Sequence, residues 1–188
     1  MTYRVAYIVG SLSTNSINRV LADALISIAP DDLEFFEIGI GELPLYNRDL
    51  DGAYPESALA LKAAIASAHA VLFVTPEYNR SIPGALKNAI DWASRPWGQN
   101  SFVNLPVAVI GASPGALGTA LAQQSLRAVL SFLNTRQLTS PEGYVSFSAD
   151  DYNPDGTVAS DRTRDFLNTF IQEFRDHIER VLTVLPRH

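Results

Sequence analysis

VLFVTPEYNRSIPGALKNAIDW, residues 71–92, passes from strand to helix through a short polar loop, and that passage decides the fold. Val71 to Val74 is an unbroken apolar run, as expected for a strand buried on both faces. Pro76 ends it, because proline has no N–H for a ladder and pushes Thr75 away from helical angles. A helix is expected to resume near Pro83, whose fixed φ suits a first turn, with Ser81 as N-cap. Leu86, Ala89, Ile90 and Ala93 then repeat at helical spacing. Glu77, Tyr78, Asn79 and Arg80 lie between two prolines, where open α/β sheets bind ligands. The same residues also suit a plain surface turn.

The flanking sequence repeats this alternation. Strands are expected at Arg4–Val9, Leu33–Ile38, Pro106–Ala112 and Tyr144–Phe147. Helices are expected from about Val20 to Ile28, over Glu56–His69, and from about Leu117 to Leu133. Phe166, Phe170, Phe174, Ile178 and Val181 make the apolar stripe of a C-terminal helix. Strand-helix alternation implies a parallel sheet covered on both faces, with right-handed crossovers. Five strands favour the order 2-1-3-4-5 of a flavodoxin-like α/β sandwich. The length, 188 residues, suits one domain with a sizeable core.

Composition removes several function classes. The net charge is −6 and the cations are scattered, which disfavours nucleic acid or an anionic membrane surface as partner. No cysteine is present, so disulfides, thiolate zinc sites and thiol nucleophiles are excluded. His69, His177 and His188 show no ligand-like spacing. No apolar run approaches membrane-spanning length, and the N-terminal run is too short for a signal peptide, so a cytoplasmic protein is the expectation.

Gly10 to Arg19 joins the first strand to its helix and carries Ser11, Ser13, Ser16 and Asn18. A hydroxyl-rich loop opening on a helix N-terminus suits a phosphate, and Arg19 adds a cation. The same loop could simply cap its own helix through Ser16. It fits neither the dinucleotide fingerprint nor the P-loop, so a single phosphate monoester is the better match. Gly111-Ala112-Ser113-Pro114-Gly115 has the spacing of a nucleophile elbow, with Asp150 or Asp155 and His177 following. Pro114 removes the N–H that an oxyanion hole needs after the serine, so a tight turn beside a flat ligand fits better. Asp151 to Gly156 begins like a calcium loop but has Arg162 where the last ligand belongs, and reads as a turn.

The loops after strands one, three and four share one sheet edge. A ligand with one phosphate and one large flat ring would touch all three, and FMN has that shape. The chain also resembles a family, the NADPH-dependent FMN reductases that include bacterial quinone and chromate reductases. The matching residues are Gly10-Ser11-Leu12 with Ser16 and Asn18, and Leu43 to Asn47 with Asp49. They continue with Pro76 to Asn79, Pro83-Gly84, Leu86 to Asn88, Asp91-Trp92, Ser113 to Gly115, Ala122-Gln123 and Leu126-Arg127. The resemblance implies a flavodoxin-like fold, bound FMN, NADPH or NADH as donor, a small-molecule acceptor, and homodimers or homotetramers. By it, Ser11, Ser16, Ile17 and Asn18 would hold the phosphate and its ribityl neighbour. Pro76, Glu77, Tyr78 and Asn79 would follow the ring edge, and Ser113, Pro114 and Gly115 would border the other side. Ser13 stands where the family often has arginine, and Thr119 where it often repeats glycine.

The resemblance implies no side-chain base, because the flavin carries the chemistry. Tyr46, Asn47 and the long loop before Pro55 are expected on the acceptor side, as a lid. Arg80 suits either a donor phosphate at the cleft mouth or plain solvation. Trp92, Trp97 and Phe102 suit either a partner subunit or intramolecular packing. A flavodoxin-like electron carrier and a cofactor-free binding module are the alternatives from other classes.

Overall fold

The computed structural model describes residues 1–153 and 155–186; Pro154, within the calcium-like stretch Asp151 to Gly156, and His188 lie outside them. At its centre is β3 (Ala70–Val74), buried at all five positions. It runs parallel to β1 (Tyr3–Val9) on one side and β4 (Pro106–Ser113) on the other. β2 (Leu33–Glu37) pairs with β1, which gives the expected order at the left of the sheet.

The right edge differs from the expectation of five strands. β5 (Arg136–Gln137) pairs with the start of β4, and β6 (Gly143–Ser146) pairs with its end. Two short strands therefore share one long neighbour. Pro141 lies between them and has no N–H to continue a ladder, and two residues are too few to leave a periodic signal.

Side chains alternate across the sheet, as pleating requires. Leu72 and Val74 join the core under α1 (Ile17–Ser27) and α5 (Asp161–Val184). Val71 and Phe73 join the core under α2 (Glu56–Ala66), α3 (Gly84–Ser94) and α4 (Ala120–Phe132). On α5 the expected stripe holds, with Phe170, Phe174 and Ile178 fully buried.

Three local expectations change. Ser81 does not cap α3; Pro83 takes the cap position, and Ser81 instead exchanges two backbone hydrogen bonds with Tyr78. Trp92 and Phe102 are buried within the subunit, while Trp97 is 78% exposed. The segment 40–55 is no loose lid. Asn88 Nδ2 and Trp92 Nε1 donate to the Pro44 carbonyl, and the Tyr46 N–H donates to Asn88 Oδ1.

His177 lies far from the proposed elbow. Its Nε2 is 2.8 Å from the Arg136 carbonyl, beside the first residue of β4, while Ser113 is the last. Those ends are separated by about 23 Å of strand. Burial lowers the His177 pKa, with Arg180 adding to the effect. The unfolded chain therefore takes up a proton below about pH 6.5 before the folded one does. Stability is expected to fall as pH drops through that window, and a His177→Gln protein should lose that part of the slope in urea titrations at pH 7 and pH 5.

Candidate functional site

Val9, Val74 and Ile110 are in register, so β1 and β3 end at one level while β4 runs on to Ser113. The extra residues of β4 rise about 10 Å above the neighbouring strand ends. β6 pairs with them on one side. On the other side β3 has already stopped at Thr75-Pro76, which leaves Ala112 without a strand partner there. Asn18 fills that gap. Its Nδ2 donates to the Ala112 carbonyl at 2.9 Å and its Oδ1 accepts from the Ala112 N–H at 2.8 Å. The side chain is 1% exposed. Asn18 thus clamps the start of α1 to β4, and its amide side chain is engaged there.

The first loop keeps donors in reserve. Ser16 caps α1 by accepting from the Arg19 N–H, as the sequence suggested. The N–H groups of Ile17 and Asn18 find no acceptor among the described residues. Ser11 Oγ accepts from the Ser13 N–H at 3.3 Å, and Ser13 itself is exposed. Unpaired N–H groups, serine hydroxyls and a helix N-terminus together fit a phosphate. Arg19 is not part of this cradle, because its guanidinium makes a two-point pair with Glu37 at 2.7 and 2.5 Å. The donors that this loop leaves unpaired are therefore neutral.

Gly10 packs this loop against the third. A Cβ there would stand 3.2 Å from Leu86 and 3.3 Å from Pro76. In the third loop Tyr78 and Ser81 close a two-residue turn, with φ of 52° at Asn79 and 64° at Arg80. Two consecutive left-handed residues give the turn of a tight hairpin, and arginine adopts it only under constraint. The N–H groups of Glu77, Asn79 and Arg80 have no acceptor among the described residues. The Glu77 carboxylate reaches α4, where one oxygen accepts from the N–H groups of Leu121 and Ala122 at 3.0 and 3.1 Å. Thr119, at the α4 N-cap, makes no side-chain cap of its own. Nothing in the local sequence announces this contact, which spans 44 residues.

The fourth loop holds no nucleophile. Ser113 Oγ donates to the Gly118 carbonyl at 2.6 Å and accepts from the Gly115 N–H at 3.2 Å, so the hydroxyl closes its own turn around Pro114. Gly118 has φ of +57° and a Cβ there would meet the backbone of Val145 at 2.9 Å. Thr119, the departure from the glycine repeat, is fully buried against Gly111 and accepts from Gln123. Its side chain is thereby directed into the fold rather than toward the sheet edge.

Tyr46 and Asn47 come to the outer side of α3. Tyr46 stacks edge-on to Trp92 and donates to Asp51, and Asn47 caps a 3-10 turn through the Asp49 N–H. Burial, then the Asp51 hydrogen bond, raises the Tyr46 pKa, so its phenol stays protonated. Among the described residues no group of histidine, cysteine and acidic side chains could hold a metal. No described helix is long and apolar enough to cross a membrane.

Known proteins carry the same organisation. A 2-hydroxy-1,4-benzoquinone reductase of a Burkholderia species is 48% identical over 174 residues, which is 93% of this chain and 95% of that protein. A quinone reductase of Pseudomonas putida is 44% identical over 178 residues, 94% and 95% of the two. The solved structure of FerB, a flavoenzyme NAD(P)H:(acceptor) oxidoreductase from Paracoccus denitrificans, superposes with a TM-score of 0.92 at 48% identity. That match covers 95% of this chain and 98% of FerB. Residues 3–150 match the family described as NADPH-dependent FMN reductase. With that match added to the sheet order and the donor-rich strand ends, the chain belongs to the NADPH-dependent FMN reductase family.

Proposed function

We propose that this chain, as one FMN-binding domain, is an NAD(P)H oxidoreductase that passes two electrons to quinones, flavins or similar small acceptors. The observation that carries this reading is the set of unpaired N–H groups and serine hydroxyls at the start of α1, on the same edge as the third and fourth loops. When bound, FMN supplies the two-electron transfer between nicotinamide and acceptor.

The chain's own residues bind and orient. Ser11, Ser13, Ser16 and the main chain of Ile17 and Asn18 hold the phosphate end. Pro76 to Asn79 offer their backbone along the ring edge, and Ser113 to Gly115 close the opposite side. Tyr46 and Asn47 border the acceptor side. No side chain is asked to move a proton, in keeping with the engaged hydroxyl of Ser113. One shared face for donor and acceptor implies ping-pong kinetics. The test is a visible spectrum of the purified protein before and after anaerobic NADPH, followed by turnover with a quinone. A flavin spectrum that bleaches, and parallel double-reciprocal lines, are expected. A colourless protein that takes up no FMN defeats the reading, and intersecting lines defeat the shared face.

Arg80, 68% exposed and 3.5 Å from Glu77, is suited to the extra phosphate of NADPH. An Arg80→Ala enzyme is expected to show a KM for NADPH raised about fivefold, with the KM for NADH unchanged.

The chain is also proposed to form homodimers or homotetramers in the cytoplasm, where its nicotinamide donor is found. An apolar groove of about 770 Å³ lies between the C-terminal halves of α3 and α4. Exposed Trp97 and Phe132 line it. Lys62 fixes the Trp97 segment by donating to the carbonyls of Ala93, Arg95 and Gln99. A preset apolar surface of this kind suits a partner. Elution as a dimer or larger at micromolar concentration is expected on gel filtration.

A further inference from the structure

The Glu77 carboxylate has a duty that the flavin-binding reading does not assign. The side chain is 10% exposed and ends on the first turn of α4. That helix has no side-chain cap from Thr119, so the N–H groups of Leu121 and Ala122 would otherwise lack an acceptor. Two residues further along the third loop come Asn79 and Arg80, both left-handed. A non-glycine pair in that region persists only where surrounding contacts over-determine it. Three contacts do so here. Two are the backbone bonds between Tyr78 and Ser81. The third is the Glu77 carboxylate, anchored on α4 with one oxygen and near the Arg80 guanidinium with the other.

We propose that Glu77 is a positioning residue for the flavin ring, latching the third loop to α4 so that the strained turn at Asn79–Arg80 is held in its ring-binding form. The proposal rests on the FMN reading given above. It separates the two ends of the ligand. The phosphate cradle hangs from β4 through Asn18, and the ring edge hangs from α4 through Glu77. Loss of the latch should therefore weaken the ring end and leave the phosphate end intact. It should also become unnecessary if the turn is made of residues that adopt it freely. Asn-Gly is the preferred pair for such a turn. Arg80→Gly would create it.

The experiment uses the full-length protein stripped of flavin, with riboflavin as a probe that has the ring but no phosphate. Limited trypsin is the second readout, because the Arg80–Ser81 bond is a trypsin site inside the latched turn. In Glu77→Ala, riboflavin affinity is expected to fall about tenfold, and cleavage after Arg80 to accelerate by about as much. In the double variant Glu77→Ala with Arg80→Gly, riboflavin affinity is expected to return to the wild-type value. Wild-type affinity and cleavage rate in Glu77→Ala would overturn the proposal, as would a loss that persists in the double variant. If Glu77→Ala does not fold, Glu77→Gln, which keeps one acceptor oxygen, is expected to give smaller losses in the same direction. Wild-type protein that binds neither FMN nor riboflavin would defeat the FMN reading instead. The trypsin comparison would still decide the latch.

Discussion

An Asn18→Ala protein is expected to unfold about 3 kcal/mol more easily than the wild type, because two buried backbone groups lose their partners. The N–H and carbonyl of Ala112 are both satisfied by this one amide. β3 stops short of them, and no strand can take its place. FMN affinity should fall about tenfold or more in the same protein, because the start of α1 would no longer be tied to the end of β4. Urea titration of the flavin-free protein measures the first effect, and fluorescence titration with FMN the second. Asn18→Asp tests the geometry further. It keeps an acceptor for the Ala112 N–H but sets a carboxylate oxygen against the carbonyl, so little of the loss should be recovered. Unchanged stability in both variants would show that the clamp contributes nothing.

Gly111→Ala is expected to be the most damaging small substitution at this edge. A Cβ there would stand 2.1 Å from the Thr75 carbonyl oxygen and 2.3 Å from Thr119 Oγ1. The first neighbour is main chain of the central strand's exit and cannot turn aside. The second is a fully buried side chain bonded to Gln123. Overpacking of a well-filled core costs about 1–3 kcal/mol and more where backbone must move, so the upper end or failure to fold is expected. Gly115→Ala is the control. A Cβ at that position meets only Ser113 Oγ, at 3.6 Å, so stability should be unchanged. Thermal unfolding of the two proteins side by side separates a close-packing requirement from a general aversion to alanine in these turns.

Much of this fold was legible because it depends on local pattern. The apolar runs at Val71–Val74 and Pro106–Ala112 read as strands, the first as one buried on both faces, and alternation with helices implied a parallel sheet. The Ser16 cap and the stripe on α5 were readable for the same reason. The split right edge was not, since β5 has two residues and its pairing depends on how far β4 extends. The cap of α3 was misread because a local turn claims Ser81, and that of α4 was missed because its acceptor is distant in sequence. Ser81 is drawn into a turn with Tyr78, and α4 takes its acceptor from Glu77. Arg19 looked like a phosphate cation until the fold brought Glu37 beside it.

The sequence alone determined the chemistry that the three loops offer: hydroxyls and a helix start in the first loop, a proline-bounded polar loop in the third, a serine-proline-glycine turn in the fourth. Those are consequences of backbone chemistry within a few residues. Only the tertiary structure decided which of their side chains remain free. Asn18, Glu77, Ser113 and Arg19 are all consumed by contacts inside the protein, three of them across 18 to 94 residues of chain. A hydrogen bond between distant segments leaves no periodicity behind. It exists because the sheet brings together strand ends of unequal length and leaves polar groups that something must satisfy.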